Sequence, residues 1–196
     1  MHPKYISKKG LELIKKFEGL HKVKDGVVHP YVCPAGVLTQ GYGSTKGVKE
    51  GITWTIDEAS DILKKDVNDH AEAVHAYVKV PLTQPQFDAL VSFVFNLGAG
   101  AFKSSTMLKK LNKGLMDEVP SEFMKWNKAR VNGKLTSLKG LTRRRTAEAA
   151  MFSEEAPLAG EGGEEMPQKP EARAVKPIAK SKTMAGVGIA GAATAM

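Results

Sequence analysis

The chain has 196 residues, 42% of them apolar and 26% charged, enough to bury one sizeable core in a soluble domain. Its net charge is +8, and 24 of its 29 basic residues but only 15 of its 21 acidic ones precede Ser153, making that part +9. Such a domain favours anionic partners, whether nucleic acid, acidic membrane or wall polymer, while its one cysteine excludes an internal disulfide framework and suits a reducing compartment.

The first seven residues lack the uninterrupted apolar core of a signal peptide, so action outside the cytoplasm would need another route of release. Ser7 is a candidate N-cap, Leu11, Ile14 and Phe17 line one helical face, and Gly19 is a good stop. Glu18 therefore falls at a helix C-terminus, where the partial negative charge disfavours a carboxylate. A carboxyl that keeps its proton can act as a general acid. A solvated glutamate at a helix end is the other reading.

From Leu20 to Gly43 the helical period is lost. Asp25-Gly26 predicts a two-residue hairpin between residues 22–24 and 27–29. Pro34-Ala35-Gly36 predicts a second turn joining residues 31–33 to 37–39, giving a small antiparallel sheet. Gly41 and Gly43 flanking Tyr42 mark a close backbone approach, as at a cleft wall.

Thr55-Ile56-Asp57-Glu58 fits a capping box ahead of a long helix to about residue 78. Thr83-Gln84-Pro85-Gln86 opens another, residues 87–97, apolar on most sides and expected at the centre of the domain. Shorter helices are expected at about residues 106–112, 119–127 and 141–152, with Trp126 packing beside Phe123 as core. The last helix carries Arg143, Arg144 and Arg145, a charged face of which one member could lie near Glu18. Residues 153–183 read as a flexible Pro/Glu/Lys linker. Residues 184–196 are small and apolar, too short to span a bilayer, and are either a sticky tail or part of a longer membrane segment; the preceding Lys180 and Lys182 favour the latter.

Glu18 with Cys33 and Thr39 is a suggestive set of polar groups, and its context gives it meaning. Phe17-Glu18-Gly19-Leu20, Cys33-Pro34-Ala35-Gly36-Val37 with Thr39, and Gly41-Tyr42-Gly43 resemble the active-site region of phage-type lysozymes, the endolysins of glycoside hydrolase family 24. Two later stretches resemble the same family in the same order. They are Phe93-Val94-Phe95-Asn96-Leu97-Gly98 running to Ser105-Thr106, and Gly140-Leu141-Thr142-Arg143-Arg144-Arg145 with Glu148.

The resemblance covers about residues 7–152 and implies an α+β, lysozyme-like fold. A small hairpin-bearing lobe and a larger helical lobe would be joined by a long helix, with a cleft between them. It implies a muramidase that cleaves the β-1,4 bond between N-acetylmuramic acid and N-acetylglucosamine in peptidoglycan and lyses bacteria. Glu18 would be the general acid. Cys33, where the family has aspartate or, in one branch, cysteine, would hold the attacking water with Thr39 in an inverting arrangement. Phe95, Asn96 and Ser105 would lie on the glycan side of the helical lobe. A monomer without cofactor or metal is implied, made in a bacterial cytoplasm and reaching the wall through a holin-type pore or with help from its tail.

Two departures stand out. Glu18 and Cys33 are fifteen positions apart, a surplus that coincides with the Asp25-Gly26 hairpin and reads as an enlarged hairpin at the cleft mouth. Ser44 stands where many relatives have histidine, so any ion pair made by that histidine is lost. A lone cysteine can also be a small buried hydrophobe, and an ordinary thiol is mostly protonated at neutral pH, so Cys33 needs neighbouring Lys or Arg, or a water-positioning role beside Thr39. His2, His21, His29, His70 and His75 show no metal-ligand spacing, and His21 and His29 read as surface residues. No phosphate loop or nucleic-acid motif is present, leaving a DNA-binding reading supported by charge alone. A non-catalytic wall-binding module of the same shape is the remaining alternative.

Overall fold

The computed structural model describes residues 2–155. Most of the expected linker and the whole apolar tail lie in residues 156–196, outside the described residues. Helix α1, Lys8–Glu18, starts where the Ser7 hydroxyl accepts from Gly10 N and ends at Gly19, whose φ of 72° is a conformation glycine adopts without strain. Ile14 is its fully buried side chain.

Three small sheets follow the sequence signals in part. Strands β1, Val23–Lys24, and β2, Val27–Val28, form the expected hairpin, with Asp25 and Gly26 both at positive φ as a tight two-residue turn requires. Strand β3, Tyr31–Val32, pairs with β4, Leu38–Thr39, placing Tyr31 opposite Thr39. Strand β5, Trp54–Thr55, was not expected; it extends the first sheet by pairing with β2. Thr55 then caps α2, Ile56–Tyr77, through the capping box with Glu58. This 22-residue helix carries the small sheets at its start and packs on the helical core along its length.

The centre is α3, Gln84–Leu97, entered through the Thr83–Gln86 capping box with Pro85 in its first turn. It packs against α1, α2, α4 (Ala99–Ser104) and α7 (Lys139–Phe152). An all-round apolar helix must be covered on every side, and this one is. Phe93 meets Phe102, Phe123 and Trp126 edge-on, ring centroids 5.5–6.2 Å apart, so Trp126 is core as expected. Helices α5, Thr106–Leu111, and α6, Val119–Met124, complete the cluster.

A helix end and a hairpin differ from the sequence reading. Helix α6 stops at Met124, and residues 128–137 form an unforeseen hairpin of β6, Lys128–Val131, and β7, Lys134–Ser137. The architecture is α+β, a helical majority with two small antiparallel sheets ahead of α2 in the chain and a third between α6 and α7.

Candidate active site

Glu18 is the last residue of α1, and its side chain is one-quarter exposed. Its Oε1 accepts from Arg144 Nη1 at 2.6 Å, while Oε2 makes no hydrogen bond among the described residues. Of the three consecutive arginines, Arg144 is thus the one that reaches Glu18. It also donates through Nε to Glu148 Oε1 at 3.1 Å and through Nη2 to the Ser92 carbonyl at 3.3 Å. Its position is fixed from three sides.

Behind this pair lies a buried charge network. Glu148 is fully buried and its Oε1 accepts from Ser92 Oγ at 2.8 Å as well as from both Arg144 and Arg145. Burial pushes the Glu148 carboxyl up and the Arg145 guanidinium down to about 10, which still leaves Arg145 charged at neutral pH. Arg145 Nε lies 3.0 Å from Glu148 Oε2 without hydrogen-bonding alignment, so that contact is charge proximity alone. Arg145 Nη2 donates to Asn96 Oδ1 at 2.9 Å. Glu148 therefore anchors both the arginine that holds Glu18 and the one that holds Asn96.

Thr39 and Cys33 sit on the β3–β4 hairpin. Thr39 is buried, and its hydroxyl lies 2.9 Å from the Val37 carbonyl, to which it donates while Cys33 keeps its proton and from which it can turn toward a Cys33 thiolate. Cys33 is partly exposed, and the backbone of Val37, then that of Ala35 and the Thr39 hydroxyl, hold its thiol below the ordinary value. Of the two alternatives read from the sequence, tuning by a nearby Lys or Arg is not what lowers this thiol: the lowering comes from local hydrogen bonds, because the tight turn folds its own backbone around the sulfur.

His21 joins the two halves, a role the sequence reading missed. Its ring Nε2 is 3.1 Å from the Glu18 carbonyl, and its backbone N–H donates to the Gly41 carbonyl, two residues beyond Thr39, at 3.2 Å. The same ring lies 5.9 Å from that of Tyr31, the residue paired with Thr39. Gln40 is a second missed residue. Fully buried, it donates through Nε2 to the carbonyls of Val28 and Ile52 at 2.8 and 3.0 Å, locking the two sheet systems together beside Thr39. A glutamine between a threonine and a glycine carries no pattern that would reveal this.

Phe95 lies in a cleft of about 300 Å³ that it lines with Tyr42, Ser44, Lys46, Asp66 and His70. Its ring meets His70 edge-on at 5.1 Å. In this wall Ser44 Oγ donates to Asp66 Oδ2 at 2.9 Å, so a hydroxyl–carboxylate hydrogen bond stands at the position where the sequence reading expected an ion pair to be lost. Ser105 is placed differently from the expected glycan contact. It is buried, donates to the Phe102 carbonyl at 2.7 Å and accepts from Leu108 N at 3.0 Å, the N-cap of α5. Among the described residues no group of three or more His, Cys, Asp or Glu side chains is placed to hold a metal.

The phage lysozyme family profile matches residues 15–148. An endolysin of Acyrthosiphon pisum secondary endosymbiont phage 1 is 47% identical over 148 residues, 76% of this chain and 97% of that protein. The muramidase domain of SpmX from Asticaccaulis excentricus superposes with a TM-score of 0.70 at 39% identity, covering 79% of this chain and all of that one. An endolysin from Escherichia coli O157:H7 phage FAHEc1 gives 0.67 at 38% identity, over 78% and 96% of the two chains.

Proposed function

The chain belongs to the phage lysozyme family, and from that premise we propose the following assignment of roles to its residues. It is a peptidoglycan-lysing muramidase, acting on the β-1,4 bond between N-acetylmuramic acid and N-acetylglucosamine. The reading of its residues rests on one observation: Glu18 is held by a single oxygen to Arg144, with its other oxygen unengaged.

Glu18 is the general acid. Its Oε2 delivers a proton to the glycosidic oxygen as the bond to the anomeric carbon breaks, and Oε1 stays on Arg144. On the opposite face of the sugar, Thr39 and Cys33 hold the water that attacks the anomeric carbon, and the Cys33 thiolate, which its local hydrogen bonds favour, takes the water's proton to become the thiol. A water between acid and base requires a separation of roughly 6.5–9.5 Å and inverts the anomeric configuration. Phe95, which lines the cleft, and its neighbour Asn96, held by Arg145, contact the glycan from the helical lobe, while Ser105 supports that lobe by capping α5.

Action at the cell wall follows from the family. Monomeric action, and release through a holin-type pore or with help from residues 184–196, complete the proposal. No helix among the described residues is long and apolar enough to cross a membrane.

The test is digestion of purified peptidoglycan with identification of the new reducing end. N-acetylmuramic acid in the α configuration is expected first; a β product would remove the inverting mechanism. Glu18→Gln should abolish turbidity clearing while leaving wall binding intact. Binding without turnover by the parent protein would return the non-catalytic module.

A further inference from the structure

From Phe123 to Ala147 the sequence contains no acidic residue and eight basic ones. Arg144 and Arg145 are consumed in the buried network, and Lys125 pairs with Glu122 at 2.8 Å. Lys128, Arg130, Lys134, Lys139 and Arg143 are exposed and form no ion pair among the described residues. Three of the five lie on the β6–β7 hairpin, whose strands pack chiefly on each other. Arg130 Nη1 donates to the Gly133 carbonyl at 3.2 Å, stiffening the tip.

At that tip, either side of the Asn132-Gly133 turn, Val131 is 42% and Leu135 62% exposed. Across the hairpin Val131 pairs with Lys134 and Leu135 with Arg130, so each exposed apolar side chain stands beside a cation that forms no ion pair among the described residues. Apolar groups set among long cationic side chains match an anionic bilayer surface, where the cations reach back to the headgroups as the apolar groups enter beneath them. A soluble polyanion would use the cations and gain nothing from Leu135.

We propose that the β6–β7 hairpin is a membrane-docking element that inserts its Val131–Leu135 tip among the headgroups of an anionic phospholipid leaflet. This surface is separate from the cleft and does not depend on the roles assigned there. Docking would hold the enzyme at the bilayer beside the wall. Each cation near such a surface contributes roughly fivefold to partitioning, falling as salt screens it.

The test is partitioning of the full chain onto vesicles of phosphatidylglycerol and phosphatidylcholine, against phosphatidylcholine alone, with hydrogen exchange read over residues 129–136. Expected are binding to the anionic vesicles, slowed exchange at the hairpin and a loss of at least about twentyfold in R130E/K134E. L135S should lose roughly tenfold with its charge unchanged. All variants should digest purified peptidoglycan at the parent rate. Unchanged exchange on vesicle binding would locate any membrane affinity elsewhere in the chain and overturn the proposal. Parent-like binding by L135S would overturn it too, leaving a purely electrostatic polyanion surface. Lack of vesicle binding would leave the lysines as guards of an exposed strand edge.

Discussion

Arg144 Nη1 and Glu18 Oε1, 126 positions apart in the chain, meet at 2.6 Å. The contact ties the C-terminus of α1 to α7, so the proposed acid is oriented by a residue from the far end of the domain. Arg144 is itself buried and holds Glu148 and the Ser92 carbonyl. Removing it leaves a buried carboxylate short of a partner. Arg144→Ala should therefore cost about 3–5 kcal/mol, visible in denaturant unfolding, and should depress lysis even at temperatures where the variant stays folded. Arg144→Lys should recover only part of both, because an ammonium lacks the planar fork that serves three acceptors at once. A lysine variant with parental stability and activity would show that the fork is dispensable.

The thiol offers a cleaner chemical readout. Backbone groups of Val37 and Ala35 and the Thr39 hydroxyl stabilise the thiolate form of Cys33. Thr39→Val removes one of these with little change in shape, so the thiol should rise toward its ordinary value. Alkylation of Cys33 by iodoacetamide should slow near neutral pH in the variant and converge with the parent at alkaline pH. In lysis assays Cys33→Asp should keep substantial activity and Cys33→Ala lose most of it. An alanine variant that clears cell walls at the parent rate would reduce Cys33 to packing.

Much of this site was legible because its parts follow local rules. Ser7, Thr55 and Thr83 are caps in the structure as they read in the sequence, and Asp25-Gly26 turns where its dipeptide predicts. What stayed hidden depends on tertiary geometry. Three consecutive arginines point about 100° apart around a helix, and only the docking of α7 decides which one faces Glu18. His21 acquires its bridging role because Gly41 comes back to it, a pairing with no sequence signature. The β6–β7 hairpin is a different kind of miss. Asn132-Gly133 is a strong turn signal, but its strands lack a buried face, so no apolar alternation drew attention to it.

The N-terminus of α1 carries a pH-dependent contribution to stability. Asp88 accepts from Ser7 N and from Gln84 Nε2 through Oδ1, and its other oxygen takes the Ser7 hydroxyl. Burial nevertheless raises its carboxyl above the ordinary value. The folded state thus keeps this proton to higher pH than the unfolded chain does. The associated stability is full below the unfolded value near 3.9 and is lost as pH rises through the folded one. Asp88→Asn removes the titration while keeping an acceptor for Ser7 N. Its stability relative to the parent should therefore rise as pH climbs above about 4 and level off once the buried carboxyl has ionised. A relative stability that is flat, or falls, over that interval would show that the Ser7 and Gln84 hydrogen bonds outweigh burial.

Ser105 separates a capping role from a binding one. Its hydroxyl accepts from Leu108 N at the start of α5 and donates to the Phe102 carbonyl, out of contact with solvent. Ser105→Ala removes both bonds and should cost about 1 kcal/mol, the ordinary worth of an N-cap. Ser105→Asp can restore the bond to Leu108 N but not the donation to Phe102, and it buries a charge, so it should be no better than alanine. Glycan affinity at a temperature well below unfolding should be unchanged in the alanine variant. A rise in KM without loss of stability would instead put the serine on the substrate. The two roles predict opposite pairs of measurements because a buried hydroxyl that already gives its proton to one carbonyl has none to offer a sugar.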